Sequence, residues 1–133
     1  MKRVAVTARI STALVVFAAF VAPGAGAQEK FPQRPMRLII PFAPGASNDI
    51  TARLIAPKMS EAMGYPVVID NRPGGGGIVG AELTAHASPD GYTLLMGSPG
   101  PLTINPAMIP TLPYSPKRDF APVTLVEIGR AHV

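Results

Sequence analysis

Apolar and polar positions alternate along this chain in short blocks that predict strands separated by helices. The strand-like blocks are rich in aliphatic and β-branched residues, and each leads into a segment that contains Gly or Pro. The predicted strands cover residues 36–42, 67–71 and 92–97, and the predicted helices between them cover residues 48–63 and 78–87. Because strands that alternate with helices favour a mainly parallel sheet covered on both faces, the predicted fold class is α/β.

The first predicted helix begins at Asn48 or Asp49, either of which can cap its N-terminus, and ends before Gly64. Pro57 interrupts the helix because proline has no backbone N–H, which predicts either a kink or an end and a restart. The apolar positions that follow the 3.6-residue helical period are Ile50, Leu54, Ile55, Met59 and Met63.

Proline is frequent in the chain after residue 97. Seven prolines lie between Pro99 and Pro122, and they disfavour a long regular helix because each one removes a backbone donor. We therefore expect a wrapping loop with short elements, followed over residues 121–126 by the start of another strand.

The N-terminal residues have the pattern of a secretory signal peptide. Three basic residues precede an uncharged, almost wholly apolar run over residues 10–22. This run is shorter than the roughly 20 residues that a membrane-spanning helix needs. An A-x-A site follows, so the sequence predicts export to the periplasm, with residues 1–27 removed by cleavage between Ala27 and Gln28.

The net charge is close to zero once the signal peptide is set apart. The chain has 12 Lys and Arg residues against 8 Asp and Glu, a net charge of +4. Lys2, Arg3 and Arg9 belong to the signal peptide, so nine basic and eight acidic residues remain. These form no basic cluster interleaved with aromatic residues, and no nucleic-acid partner is expected. Cysteine is absent, so disulfides and thiolate metal ligands are not available.

The run from Gly75 to Gly80 matches the G-x-G-x-x-G pattern of dinucleotide-binding loops. It follows a predicted strand and opens a predicted helix, which is the context that this motif requires. Two features oppose it: the next strand has no acidic residue at its end for a ribose, and Arg72-Pro73 separates the preceding strand from the glycines. A fragment of a dinucleotide-dependent oxidoreductase is therefore the alternative function.

Residue types that catalyse reactions or bind metals do not form a recognisable set. The stretch from Gly45 to Asp49 only resembles the G-x-S-x-G nucleophile motif. The histidines are His86 and His132, and no spacing brings either together with carboxylates as metal ligands. We therefore expect no enzymatic activity, no metal site and no cofactor.

Polar, glycine-containing loops follow each predicted strand. The carboxyl ends of parallel strands share one edge of a sheet, where ligands bind, so these loops are expected to gather there. They cover residues 43–49, 72–77 and 98–101. The first loop leads into a helix whose initial N–H groups lack intrahelical partners, and Ser47, Asn48, Ser98 and Thr103 add neutral hydrogen-bonding groups. Ligand binding and simple helix capping both explain this pattern.

Several motifs, in order, resemble the substrate-binding proteins of tripartite tricarboxylate transporters, the Bug-type receptors. The resemblance runs from about Phe31 to Val126. It implies a periplasmic-binding-protein-like fold of type II, with two lobes that capture a small carboxylated solute for a membrane permease, and a monomeric state. The motifs are P-F-x-P-G at Pro41, V-x-D-N-R-P-G at Val68, S-P-D-G-Y-T-L-L at Ser88, I-N-P at Ile104 and D-F-x-P-V at Asp119.

The resemblance also implies a set of ligand-binding residues in the first lobe. This sequence departs from the family pattern at Ala46, where glycine is usual, which opposes a positive φ at that position. It also has Pro101 and Leu102 where the family usually has a Thr and a His, which leaves room for a solute other than the better-known di- and tricarboxylates. The implied residues are Ala43, Pro44, Gly45, Ala46, Ser47, Asn48, Asp49, Ser98 and Thr103.

The chain is expected to be part of a longer protein. Three strands and two helices are a small basis for an independent core, and members of the resembled family are longer. Residues 28–126 are therefore predicted to form part of a first lobe, truncated before the second lobe. The last seven residues, 127–133, are what a common sequencing-adapter oligonucleotide encodes when read in frame, which predicts a non-native tail.

Overall fold

The computed structural model describes residues 31–126. The predicted signal peptide and the predicted non-native tail lie outside the described residues. The helices and strands are β1 (Met36–Ile40), α1 (Ser47–Met63), β2 (Val67–Asn71), α2 (Ile78–Ala85), β3 (Thr93–Leu95), α3 (Asn105–Met108) and α4 (Pro116–Asp119). A 3₁₀ turn at Gly75–Gly77 precedes α2, and a π-helical turn at Gly100–Ile104 precedes α3. This alternation confirms the predicted α/β class.

The three described strands form one parallel sheet in the order β2–β1–β3. The central strand β1 pairs Leu38 with Ile69 of β2 on one side and with Leu94 of β3 on the other. Strands β1 and β3 are shorter than predicted, and β1 ends where Pro41 has no N–H for the ladder. The predicted parallel arrangement is confirmed.

Helix α1 covers one face of the sheet. The side chains of Met36, Leu38 and Ile40 alternate to this face and form the core together with Ala52 and Ala56 of α1. The predicted helix residues Ile55, Met59 and Met63 pack at the border of this core.

The predicted apolar stripe of α1 is wrong at two positions, because Ile50 and Leu54 are 54% and 68% exposed. The buried residues of α1 are instead Asp49, Ala52 and Ala56, which the helical period places on one face. The interface therefore follows small residues that allow close approach to the sheet, rather than the largest apolar side chains.

Helix α1 continues through Pro57 and reaches Met63, so the predicted end and restart is wrong. Proline removes one intrahelical hydrogen bond, but the packing of both halves of the helix against the same core keeps the segment helical. The predicted stop at Gly64 is confirmed, since this residue has φ +73° and its N–H bonds the carbonyl of Ser60.

Helix α2 covers the opposite face of the sheet. Ile39 of β1 and Ala81 of α2 are fully buried, and neither belongs to the core under α1. Gly80 brings α2 very close to the chain that leaves β1, because a Cβ at this position would lie 2.8 Å from the Cα of Pro41. The predicted coverage of both faces is confirmed.

The region after β3 contains short helical segments, as predicted, but residues 121–126 are not a strand. Val123 and Leu125 are 81% and 73% exposed in this segment. A strand requires a neighbour for its backbone groups, and none of the described strands pairs with this segment. Its β-prone composition alone therefore does not make it a strand.

Candidate functional site

The order of the strands places a topological switch point between β1 and β3 at the carboxyl edge of the sheet. The chain leaves the central strand β1 towards α1 on one face, and it reaches β3 on the other side of β1 through α2 on the opposite face. Connections that leave in opposite directions from neighbouring strands leave room between them, which is where open α/β sheets bind ligands. The loop after β1 and the segment after β3 flank this position.

The loop between β1 and α1 contains the predicted residues Ala43, Pro44, Gly45 and Ala46. The first three are exposed, and the positive φ in this loop lies at Gly45, with a value of +86°. Ala46 has an extended backbone, with φ −67° and ψ 160°, so the prediction that Ala46 opposes a positive φ is confirmed. The N–H of Ala46 donates to the carbonyl of Ala43 at 3.2 Å, which closes the loop as a turn.

Helix α1 begins at Ser47, after an N-cap at Ala46 that supplies no side-chain cap. The prediction that Asn48 or Asp49 caps the helix is therefore wrong. The first main-chain bond of the helix runs from the N–H of Ile50 to the carbonyl of Ala46, at 3.0 Å. Within residues 31–126, the N–H groups of Ser47, Asn48 and Asp49 have no acceptor. Three donors thus remain free at the positive end of the helix dipole.

The side chain of Asp49 is buried and fully engaged. It is 2% exposed and accepts hydrogen bonds from the Gly45 N–H at 2.8 Å, from Arg53 Nε at 2.9 Å and from Asn71 Nδ2 at 2.9 Å. The bond from Arg53, then those from Gly45 and Asn71, lower the pKa of Asp49 well below its usual range. The Asp49 carboxylate is therefore occupied by donors from neighbouring groups. Only the backbone N–H of Asp49 remains for a ligand.

The residues that end β2 bind neighbouring parts of the chain. The Asn71 side chain also donates to the carbonyl of Phe42, at 3.2 Å. Arg72 donates to Asp70 through Nε at 2.8 Å and Nη2 at 3.2 Å, and Arg37 donates to the same carboxylate. The role of Asn71 was missed in the sequence, where its position after a predicted strand and within V-x-D-N-R-P-G is the signal that marks it.

The glycine loop after β2 packs against the segment after β3. Gly74, Gly75, Gly76 and Gly77 all have positive φ, which only glycine adopts readily. The Asn105 side chain donates to the carbonyl of Gly76 at 3.1 Å, and a Cβ at Gly77 would lie 3.2 Å from the ring of Pro101. The glycines of the G-x-G-x-x-G match therefore let the backbone of this loop pack against Pro101 and Asn105 of the same chain.

The segment after β3 contributes the predicted residues Ser98 and Thr103. The Oγ atom of Ser98 is buried and has no hydrogen-bond partner among the described residues. A buried hydroxyl without a partner is uncommon, and a group outside this chain that bonds to it would account for the observation. Thr103 lies in the π-helical turn and is exposed. The structure therefore brings Ser98, rather than Thr103, to the end of a strand.

The arginines near the site are all paired. Each of the five arginines within residues 31–126 forms a salt bridge with an aspartate. No group of three or more metal-binding side chains converges in this range, and no described helix is long and apolar enough to cross a membrane. The groups that remain at the strand ends are neutral donors: the N–H groups of Ser47, Asn48 and Asp49 and the hydroxyl of Ser98.

Comparison with protein families identifies residues 51–131 as matching the tripartite tricarboxylate transporter family receptor. Among curated relatives, the protein BugT of Bordetella pertussis is 41% identical over 99 residues, which are 74% of this chain and 30% of that protein. A protein encoded between tcbD and tcbE in Pseudomonas sp. strain P51 is 47% identical over 97 residues, which are 73% of this chain and 29% of that protein.

Solved structures of similar proteins share this fold. The MatC protein of Rhodopseudomonas palustris with bound malate is 43% identical, with a TM-score of 0.69 over 72% of this chain and 33% of that one. Another R. palustris protein, with adipate, is 42% identical, with a TM-score of 0.67 over 70% of this chain and 31% of that one. The chain spans about 30% of the length of the curated relatives that it matches. It belongs to the receptor family of the tripartite tricarboxylate transporters, and its described part has the fold of a periplasmic binding protein.

Proposed function

We propose that this chain is part of the first lobe of an extracytoplasmic solute receptor that captures a small carboxylated solute for a tripartite transporter. The chain is a binding component without enzymatic activity, and it works as a monomer that delivers the solute to membrane permease subunits. The observation that carries this proposal is the row of free N–H groups at Ser47, Asn48 and Asp49, at the switch point of the sheet.

The free N–H groups suit a carboxylate. A carboxylate has two acceptor oxygens and a negative charge, and the start of a helix offers donors together with the positive end of the dipole. The relatives with malate and with adipate are consistent with a carboxylate ligand. The N–H groups of Gly45 and Ala46 are already bonded within the chain, so these two residues form the approach to the donors rather than supplying donors themselves.

The hydroxyl of Ser98 is a second group that suits the same ligand. It follows β3, on the other side of the switch point from α1, and its lack of a partner is accounted for if it donates to the solute. Thr103 follows Ser98 in the same segment and is exposed in the π-helical turn. We propose that it also contacts the solute.

Neutral donors also suit a protein that must release its cargo. An unpaired arginine at this position would bind a carboxylate more strongly, but it would leave a costly unpaired charge in the empty state. The paired arginines avoid this cost. Charge from the helix dipole contributes about 0.3–1 kcal/mol when exposed and up to about 2 kcal/mol when partly buried.

The test is Ser47→Pro in the full-length receptor that carries this sequence, with affinity for malate and adipate measured by calorimetry. Ser47 is the first residue of α1, where proline is well tolerated, and the extended backbone of Ala46 is the conformation that a residue before proline prefers. The variant removes one N–H and one hydroxyl from the site while the helix is kept. We expect it to weaken binding by about 2- to 30-fold.

Two controls complete this test. Ser47→Ala removes the hydroxyl alone, and comparison with Ser47→Pro isolates the N–H. Arg72→Ala removes a side chain that already pairs with Asp70, so the affinity is expected to stay close to that of the wild type. Normal binding by Ser47→Pro together with loss of binding in Arg72→Ala would show that the loop after β1 is only a turn.

The predicted export is tested separately. We propose that the mature protein begins at Gln28, since small residues at positions 25 and 27 fit signal-peptide cleavage. Mass spectrometry of the protein from a periplasmic fraction should give this N-terminus. Retention of residues 1–27 would contradict the proposed processing.

A further inference from the structure

We propose that Asp49 and Asn71 form a positioning pair that holds the loop after β1 in the geometry required for ligand binding. This inference rests on the proposed function, since it concerns the backbone that precedes the free N–H groups. Neither side chain is assigned a contact with the solute. Their role is to act through the loop.

Asp49 connects three separate parts of the chain. Its buried carboxylate accepts hydrogen bonds from the loop at Gly45, from the next turn of α1 at Arg53 and from the end of β2 at Asn71. Hydrogen bonds to an ionised acceptor are stronger than those between neutral groups. Asp49 therefore connects the loop to α1 and to the end of β2.

Asn71 continues the connection between β1 and β2 beyond the end of the sheet. The last main-chain bond between the two strands runs from the N–H of Arg72 to the carbonyl of Ile40, at 2.8 Å. The Asn71 amide then donates to the carbonyl of Phe42 at 3.2 Å as well as to Asp49 at 2.9 Å. One side chain thus holds the chain as it leaves the sheet and also orients the carboxylate that bonds the loop.

Apolar packing does not hold this loop. Ala43, Pro44 and Gly45 are exposed, and a Cβ placed on Gly45 would have no atom within 4 Å. The described contacts that hold Gly45 at its positive φ are therefore hydrogen bonds, above all the one from its N–H to Asp49. Because Ala46 and Ser47 follow directly, a change in this backbone moves the start of α1 and its donors.

A second carboxylate in the protein provides a matched control. Asp70, like Asp49, pairs with arginine, in this case with two, and it lies at the end of β2, next to Asn71. Its partners, Arg37 and Arg72, do not include the backbone of the loop after β1. Asp70→Asn therefore removes a comparable ion-pair cluster without releasing the loop.

The experiment compares Asp49→Asn, Asn71→Ala, the double variant and Asp70→Asn in the full-length receptor. Malate affinity is measured by calorimetry, amide hydrogen exchange at Gly45 by NMR or mass spectrometry, and stability by thermal unfolding. Asp49→Asn and Asn71→Ala are each expected to weaken binding by about tenfold and to speed exchange at Gly45. The double variant should weaken binding by less than the product of the two single effects, because both act through the same loop. Asp70→Asn should lower stability and leave both other readouts unchanged.

The outcomes separate this inference from the proposed function. Wild-type protein that binds no carboxylate would contradict the proposed function, whereas normal binding by Asp49→Asn and Asn71→Ala, with Ser47→Pro still impaired, would overturn only the positioning role. Tighter binding by Asp49→Asn would show instead that its charge repels the ligand, which also overturns the inference. If Asp49→Asn does not fold, Asn71→Ala alone decides, because this variant keeps the Asp49–Arg53 pair.

Discussion

The hydroxyl of Tyr114 donates a hydrogen bond of 2.7 Å to the carbonyl oxygen of Pro101. This bond satisfies a backbone group that the π-helical turn leaves without a partner. In that turn, the N–H of Asn105 bonds the carbonyl of Gly100 instead of that of Pro101, and the next residue, Pro106, has no N–H to give. Tyr114 thus supplies the hydrogen bond that the Pro101 carbonyl lacks, in the segment that carries Ser98 and Thr103.

Replacement of this hydroxyl is predicted to destabilise the protein. Tyr114 is 4% exposed, so Tyr114→Phe keeps a buried ring but leaves the Pro101 carbonyl next to it unsatisfied. An unsatisfied buried carbonyl costs about 1–3 kcal/mol. Chemical denaturation measures the change in the free energy of unfolding. The matched control is Tyr92→Phe, whose hydroxyl accepts an exposed hydrogen bond from the Gln33 N–H, and its effect should be clearly smaller. Equal losses in both variants would show that the Pro101 contact is not special.

The buried Tyr114 hydroxyl also predicts loss of stability at high pH. Burial raises the pKa of Tyr114 above its ordinary value of 10.0. A group with a raised pKa contributes stability that is fully present below the unfolded-state pKa and is lost as the pH rises through the folded-state pKa. We expect the stability of the wild type to fall above about pH 10. Tyr114→Phe should show a shallower fall over the same range, as measured by unfolding at a series of pH values.

The structure shows which features local sequence patterns predict well. The three strands of the sheet, the stop at Gly64 and the gathering of loops at the carboxyl edge follow from composition and from the rules for parallel sheets, whereas the strand predicted over residues 121–126 is absent. The start of α1 does not follow, because Asp49 looks like a cap by residue type but bonds Gly45 and Asn71 instead. Asn71 lies 22 residues away in sequence, and no local period contains such a contact.

The buried face of α1 shows a second limit of sequence patterns. Hydrophobic period alone favours Ile50 and Leu54, yet the contact with the sheet is made through Ala52 and Ala56. Close approach of a helix to a sheet depends on side-chain volume in three dimensions, which a count of apolar residues does not measure. The hydroxyl of Ser98 could be named from its position after a strand, whereas its burial without a partner could not.

Asp70 is predicted to make the stability sensitive to acid. The hydrogen bond from Arg37, reinforced by Arg72, lowers the pKa of Asp70 below its ordinary value of 3.8. A lowered pKa contributes stability that is present above the unfolded-state pKa and is lost as the pH falls through the folded-state pKa. Asp70→Asn should cost about 1 kcal/mol or less at neutral pH, since both arginines are half exposed. Below about pH 4 its unfolding free energy should approach that of the wild type; a constant difference down to pH 2 would contradict this assignment.

Gly80 is predicted to be the position where a single methyl group is most harmful to the packing of α2. Helix propensity alone favours Gly80→Ala by about 1 kcal/mol. However, the new Cβ would lie 2.8 Å from the Cα of Pro41, 2.9 Å from its Cβ and 3.0 Å from the carbonyl oxygen of Arg72. These atoms belong to backbone and to a proline ring, so they cannot rotate away, and α2 must move off the chain that leaves β1. We expect a net loss of about 1–3 kcal/mol.

The control for Gly80→Ala is Gly64→Ala, where the cost has a different origin. Gly64 has φ +73° and open space around a new Cβ, so alanine there meets backbone strain of about 1–2 kcal/mol without any clash. Because Gly64 ends α1 on the side away from the candidate site, its variant should lower the melting temperature and leave malate affinity unchanged. Gly80→Ala should lower both, since Pro41 begins the loop that leads to Ser47. A stabilised Gly80→Ala variant with normal affinity would mean that α2 has room to shift and that its contact with Pro41 does not set the position of the loop.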